Sequence, residues 1–136
     1  MIRPLNRDIL FLSKKSIKAQ PADQSVANDL LDTLKAHKAH CVGMAANMIG
    51  EAKAIIAIDL GFSYLLMYNP RIIARQLPYQ CLEGCLCLEG QRKATRYQKI
   101  RVLYQDQNFQ TVEADFSGFV AQIIQHEIDH LGGVII

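Results

Sequence analysis

The sequence predicts an α+β protein in which short strands, mixed or antiparallel, surround a buried C-terminal helix that carries an HExxH motif. Two observations support this class. Segments rich in strand-forming residues occupy the middle of the chain, at residues 52–60, 63–68, 71–75, 99–104 and 110–115. Apolar residues at helical spacing lie on either side of these segments, and the second such stretch contains the sequence HEIDH at residues 126–130.

The size and charge of the chain predict one soluble domain that spans residues 1–136. A chain of this length buries about two-thirds of the surface that its unfolded form exposes. Its apolar fraction of 50% and charged fraction of 21% are ordinary, and a net charge of +2 is too small to indicate nucleic acid or an acidic membrane surface as a partner. Because the sequence has neither a long apolar run nor a signal or transit segment at its start, the expected location is the cytoplasm.

Local patterns assign the elements that precede the last helix. Residues 26–36 place apolar side chains on one helix face. Residues 41–50 are small and apolar with two glycines, which predicts a close-packed loop or a short strand. Asn69-Pro70 predicts a turn between two strands. Residues 106–108 predict the turn of a hairpin that joins the last two strand segments.

The last helix is predicted to begin at a cap, Asp115 or Ser117, and to end near Leu131, where two glycines follow. Helical spacing puts one set of side chains on a common buried face, namely Phe119, Ile123, His126, Glu127 and His130. Phe119 and Ile123 would form, with Gln122, a mostly apolar wall next to the histidines. A substrate pocket and ordinary core packing both account for such a wall.

The HEIDH motif predicts a metal site. His126 and His130 lie one helical turn apart, so both imidazoles can bind one ion, and Glu127 is placed to move a proton. No side chain after His130 can bind a metal, so a third ligand is expected upstream. The upstream candidates are His37, His40, Cys81, Cys85, Cys87 and several carboxylates. The two histidines lie in a polar, lysine-flanked helix end typical of solvated side chains, whereas Cys85 follows a glycine, where backbone approaches closely.

Three segments resemble the ordered motifs of the peptide deformylase family: residues 43–50 (GMAANMIG), 83–87 (EGCLC) and 126–130 (HEIDH). The patterns of that family are Gly-apolar-Ala-Ala-x-Gln, Glu-Gly-Cys-apolar-Ser and His-Glu-x-Asp-His. Asn69-Pro70 after a strand and Arg92 beyond the second motif add to the resemblance, which extends over nearly the whole chain.

The resemblance implies a set of catalytic roles. Cys85, His126 and His130 would hold one divalent metal ion, Fe(II) in cells, with zinc, nickel or cobalt as alternatives. Glu127 would be the general base that takes a proton from the attacking water and later delivers it to the leaving amine. The backbone N–H of Leu86 would donate to the developing oxyanion.

The resemblance also implies a reaction and its partners. The protein would remove the formyl group from N-formyl-methionine of nascent polypeptides, so its partners would be N-formyl-methionyl peptides, with transient association with the ribosome. Because no helical tail follows Gly132, that association is not expected to use one. The residues expected to contact the substrate are Val42 and Gly43 through their backbone, Phe119, Gln122 and Ile123 around the methionine side chain, and Arg92, for which a surface cation is the alternative. Asp129 would support the metal site rather than act in catalysis.

The chain departs from the family pattern most clearly at Met48. The family has a glutamine there, whose amide donates a second hydrogen bond to the oxyanion, and methionine has no donor. Losing one such donor costs on the order of a hundred- to a thousand-fold in turnover. Asn47 carries an amide, but it would replace the missing donor only if the local backbone rotates. Cys87 in place of serine and Cys41 in place of glycine are smaller departures.

Two other functions remain open at the level of sequence. A catalytically impaired protein of this type would act as a peptide-binding or regulatory module. A related amide hydrolase would act on another small N-acyl substrate.

Overall fold

The computed structural model describes residues 1–85 and 88–134, of which 85, 88 and 89 are described by their backbone alone. The predictions for Leu86 and Cys87 therefore lie outside the described residues. The α+β class is confirmed, and five strands form one antiparallel sheet in the order β1-β2-β3-β4-β5. The helices are α1 Ile9–Leu12, α2 Gln24–Ala36 and α3 Gly118–Leu131, and the strands are β1 Gly43–Ala45, β2 Ile55–Asp59, β3 Tyr64–Cys85, β4 Leu88–Gln105 and β5 Thr111–Ser117.

Helix α2 confirms the apolar face predicted for residues 26–36 and begins two residues earlier, at Gln24. Leu30 and Leu34 on this face have no solvent exposure. The segment 41–50 contains the predicted short strand, β1, followed by a 3-10 turn over Ala46–Ile49. The core forms where α2, α3 and this turn pack against the sheet that includes β1.

The predicted turn at Asn69-Pro70 is wrong, because the chain continues through it as one 22-residue strand, β3. The pairing of β3 with β4 shifts register between Tyr68 and Arg71, which marks a β-bulge. Asn69 adopts a φ of 52°, and its side chain bonds both the N–H and the carbonyl of Ala19. Asparagine tolerates a positive φ and proline lacks a ladder donor, so the same residues that favour a turn also favour a bulge.

The hairpin predicted around residues 106–108 is confirmed, and its second strand, β5, leads into α3. Ser117 occupies the N-cap position, although its side chain makes no cap hydrogen bond. Gly118 has a φ of 63° and turns the chain from strand to helix, a conformation that favours glycine. No helix in the described part of the chain is long and apolar enough to cross a membrane.

Helix α3 is tied to the sheet by Gln125, beyond the point where β5 ends. The N–H of Tyr97 donates to Gln125 Oε1 at 2.8 Å, and Gln125 Nε2 donates to the carbonyl of Tyr97 at 2.8 Å. The glutamine side chain thus takes the place of a neighbouring strand along β4. Since His126 is the next residue, this pair of bonds fixes the helix that carries the HEIDH motif.

Candidate metal centre and substrate cavity

The imidazoles of His126 and His130 converge, as their spacing predicts. The two Nε2 atoms lie 2.9 Å apart, and the rings meet at an interplanar angle of 79°. Both residues are buried, with 8% and 3% exposure. Protein imidazoles bind zinc at about 2.0–2.1 Å, so two nitrogens at this order of separation fit one shared ion.

Glu83 orients the first of these imidazoles, a role that the sequence did not reveal. His126 Nδ1 lies 2.8 Å from Glu83 Oε1. Burial would raise the pKa of Glu83, but hydrogen bonds from His126, Arg96 and Gln122 hold that pKa well below its usual range. An ionised carboxylate only accepts hydrogen bonds, so Nδ1 is the protonated nitrogen and Nε2 carries the lone pair that a metal requires.

Arg96 holds Glu83 in place from the opposite side. Its Nη2 and Nε donate to the Glu83 carboxylate at 2.6 and 3.0 Å, and its Nη1 donates to Asp129 Oδ2 at 2.5 Å. Arg96 is 4% exposed, so the guanidinium and the two carboxylates form a largely buried ionic network. Asp129 contacts this network, which fits the supporting role expected for it.

We expect Glu83→Gln to lower the affinity for Zn²⁺ by about 10–100-fold, because the carboxylate that orients His126 is lost. Competition with a chromogenic chelator measures the dissociation constant. Asp129→Asn is the matched control, since it also removes a carboxylate bonded to Arg96 but keeps the contact between Glu83 and His126. We expect that control to bind Zn²⁺ as the wild type does. Equal losses in the two variants would contradict a specific role for Glu83.

Glu127 is buried where α3 packs against β1, and Gly43 makes that packing close. A Cβ added at Gly43 would lie 2.6 Å from Ile123 Cγ2 and 3.0 Å from Glu127 Oε2. Real Cβ contacts are not as short as 2.6 Å, so any larger residue would displace Ile123, and it would also crowd the carboxylate of Glu127. The glycine of the first motif thus lets α3 pack closely against β1 beside Glu127, which is 4% exposed.

A cavity of about 440 Å³ opens beside His126 and Glu127. It is lined by five of the six residues predicted to contact a substrate: Val42, Gly43, Phe119, Gln122 and Ile123. Arg92 does not contribute to this lining within the described part of the chain, and lies opposite Glu83 in the pairing of β3 with β4. Phe119 is 63% exposed, so it forms the rim of the cavity rather than part of a buried helix face.

Met48 also lines the cavity, whereas Asn47 is bonded to the helix. The N–H of Ala45 donates to the Met48 sulfur at 3.4 Å, and Met48 is 1% exposed. Asn47 Nδ2 donates to the main-chain carbonyl of His130 at 2.9 Å, and Asn47 is not among the described residues that line the cavity. The geometry therefore gives no support to replacement of the missing donor by Asn47.

Two cysteines, Cys41 and Cys81, are described with their side chains, and both are thiols. Cys41 lines the cavity, and its thiol donates to the carbonyl of Gly43 at 2.8 Å. Cys81 lies beside Glu83, and burial, followed by that negative charge, raises the pKa of its thiol. The side chain of Cys85, the predicted third ligand, is outside the description, although β3 reaches His126 through Glu83 and ends at Cys85.

The donor set fits a metal ion. Among the described side chains, no group of three histidine, cysteine or carboxylate residues is close enough to hold an ion. The two converging imidazoles, with a cysteine at the end of the adjoining strand, would supply nitrogen and thiolate ligands suited to zinc, iron, nickel or cobalt. A helix with this pair, a neighbouring buried glutamate and an adjoining cavity defines a metal-dependent hydrolase.

The chain belongs to the polypeptide deformylase family, whose model matches residues 1–136. A peptide deformylase of Clostridium beijerinckii is 50% identical over 136 residues and 100% of both chains. Peptide deformylase 3 of Shewanella oneidensis is 35% identical over 94% of this chain and 85% of its own length. A peptide deformylase structure from Legionella pneumophila superposes with a TM-score of 0.88 at 28% identity, covering 99% of this chain and 83% of that one. The chain is accordingly a metallo-amidohydrolase, and deformylation is favoured over a peptide-binding module or a different N-acyl substrate.

Proposed function

We propose that residues 1–136 form one cytoplasmic catalytic domain that hydrolyses the formamide of N-formyl-methionyl peptides at the start of nascent polypeptides. Cys85, His126 and His130 hold one divalent metal ion, which is Fe(II) in cells. The observation that carries this proposal is the 2.9 Å approach of the two Nε2 atoms on a helix whose His126 and Glu127 line the cavity. Association with the ribosome is transient.

The residues of the chain perform the proton transfers and the positioning. When bound, the metal polarises the formyl carbonyl and lowers the pKa of water. Glu127 accepts a proton from the attacking water as the new C–O bond forms, and gives a proton to the amine nitrogen as the C–N bond breaks. The products are formate and a peptide with a free amino terminus. The N–H of Leu86 donates to the oxyanion that develops on the formyl carbon.

The substrate lies along the edge of the sheet. β1 pairs with β2 on one side only, within the described sheet, so its other edge accepts an extended peptide as an added strand at Gly43. The carbonyl of Val42 accepts from the N–H of Asp59 in β2, so Val42 contacts the peptide as part of the cavity lining. The side chain of the first residue of the peptide enters the cavity. There it contacts three residues of α3, called the α3 wall below: Phe119, Gln122 and Ile123. Arg92 contacts the peptide beyond its first residue.

The test combines metal analysis with product analysis on protein purified without air. We expect about one iron ion per chain, because the pair of histidines on α3 forms one metal site. Formate and new amino termini should appear in equal amounts from formyl-Met-Ala-Ser, stop on chelation, and resume on adding Fe(II), Ni(II) or Co(II). Acetyl-Met-Ala-Ser is the matched control and should not be cleaved. Metal-loaded protein that binds the formyl peptide without releasing formate would contradict the proposal, as would equal cleavage of the acetyl peptide.

A further inference from the structure

Gln122 is the polar member of the α3 wall. The other two members, Phe119 and Ile123, are apolar, and Leu82 of β3 also lines the cavity. Gln122 is half-buried and lies one helical turn before His126. A side-chain amide at this point exposes a hydrogen-bonding group to whatever occupies the cavity.

The orientation of this amide is fixed by Glu83. Gln122 Nε2 donates to Glu83 Oε2 at 2.9 Å and lies 3.7 Å from the thiol sulfur of Cys81. Arg96 Nε donates to the same carboxylate oxygen at 3.0 Å, so Glu83 Oε2 acts as an acceptor here. A flipped amide would place two oxygens against each other, so the nitrogen must face Glu83.

This orientation leaves the carbonyl oxygen of Gln122, rather than its nitrogen, available to an occupant of the cavity. Within the described residues, no group donates to Gln122 Oε1. An apolar side chain that covers this oxygen removes its water without replacing the hydrogen bond, and such a loss disfavours binding. A side chain that ends in an N–H donor restores the bond.

We propose that Gln122 is a specificity-determining residue, whose carbonyl oxygen favours a first side chain that ends in a neutral hydrogen-bond donor. The ligand class is an N-formyl peptide whose first residue has the length of methionine but ends in an amide, as glutamine does. This inference rests on the proposed deformylase activity. It predicts that the wild-type protein accepts formyl-Gln peptides more readily than a variant whose α3 wall is entirely apolar.

The test compares formyl-Met-Ala-Ser with formyl-Gln-Ala-Ser in the wild type and in Gln122→Met. The substituted methionine keeps the length of the side chain and removes the carbonyl. We expect the ratio of kcat/KM for the methionine peptide over the glutamine peptide to rise by about tenfold in the variant. An unchanged ratio overturns the inference.

Phe119→Leu is the matched control, since it alters the same wall one turn earlier without touching a polar group. It should change kcat/KM for both peptides by the same factor and leave their ratio as in the wild type. Wild-type protein that releases formate from neither peptide contradicts the proposed function. Wild-type protein that cleaves the methionine peptide, with a ratio insensitive to Gln122→Met, contradicts the role of Gln122 alone.

If Gln122→Met turns over too slowly for kcat/KM to be measured, binding of the product peptides tests the same inference. The product peptides Met-Ala-Ser and Gln-Ala-Ser are titrated into wild type and Gln122→Met by calorimetry. The ratio of their dissociation constants should shift by the same factor, about tenfold, in favour of the methionine peptide. Equal changes for both peptides indicate a structural role for Gln122 and overturn the inference.

Discussion

Replacing Glu127 by glutamine is expected to lower the turnover of formyl-Met-Ala-Ser by about 10²–10⁴-fold, the usual contribution of a general acid–base group. Glutamine has nearly the same shape, so it fits against Gly43, where the contact is already close. It neither accepts a proton from water nor delivers one to an amine. Formate release measures turnover, and metal analysis shows that the ion is retained.

Two further measurements separate lost chemistry from lost structure. Glu127 is 4% exposed, so the substitution removes a buried carboxylate, and we expect the melting temperature not to fall. Glu113→Gln is the matched control, because Glu113 lies on β5 with its side chain 46% exposed and pairs with Arg101. This control should keep wild-type turnover. A Glu127→Gln protein that is folded, metal-loaded and as fast as the control would exclude Glu127 as the proton-transfer group.

Local sequence predicted the parts of the site that lie on one helix. The periodicity of residues 119–130 placed His126 and His130 on one face, and the structure brings their Nε2 atoms to 2.9 Å. A helix has a fixed repeat, so residues four apart meet whatever the rest of the chain does. The three motifs also predicted the family, because their order along the chain carries information that no single motif has.

The network around Glu83 was not predicted, because it depends on how distant segments pair. Glu83 contacts Arg96, 13 residues away, and His126, 43 residues away. The first contact requires the register of the long β3–β4 ribbon, and bulges in that ribbon shift the register at several points. A buried arginine has no local signature of its own. The one available signal was that a glutamate precedes the cysteine in the second motif.

Gln125 was missed for a related reason. It lies between residues assigned to the helix core, and its pattern does not distinguish it from a solvent-facing glutamine. Its role follows from Tyr97, whose N–H and carbonyl lie beside α3 past the end of β5. Such a role exists only once the sheet and the helix are assembled.

Met48, which lines the cavity, is the main chemical departure from the family pattern. The Met48 sulfur accepts a hydrogen bond from the N–H of Ala45. A thioether has no donor, so Met48 offers none to an occupant of the cavity that it lines. The neighbouring amide of Asn47 is bonded to the carbonyl of His130 in the last turn of α3. The backbone N–H of Leu86 is then the single protein donor proposed for the oxyanion. We infer that neither Met48 nor Asn47 supplies the second donor and that turnover is correspondingly limited.

Met48→Gln is therefore expected to raise the kcat for formyl-Met-Ala-Ser by about 10²–10³-fold, the cost usually measured for losing one oxyanion donor (about 3–4 kcal/mol). Methionine and glutamine have similar lengths, so the amide reaches the cavity from the same backbone position. The effect should appear in kcat, since the added bond forms with charge that develops in the transition state. Burying the amide is expected to lower the stability of the peptide-free protein by about 1–3 kcal/mol, which thermal melting measures.

Two controls identify the source of the gain. Met48→Leu keeps an apolar side chain of similar volume and should not raise kcat. Asn47→Ala removes the bond to the carbonyl of His130, which keeps its bond from the N–H of Gly133. We therefore expect a destabilisation of about 0.5–1.5 kcal/mol, the usual net contribution of one hydrogen bond. If Asn47 were the second donor, Asn47→Ala would instead lower kcat by a factor of 10² or more at unchanged metal content, and Met48→Gln would add little. Met48→Gln and Asn47→Ala together show whether the amide at position 48 or the amide at position 47 donates to the oxyanion. The two residues are adjacent in the chain, but Met48 lines the cavity and Asn47 bonds the carbonyl of His130.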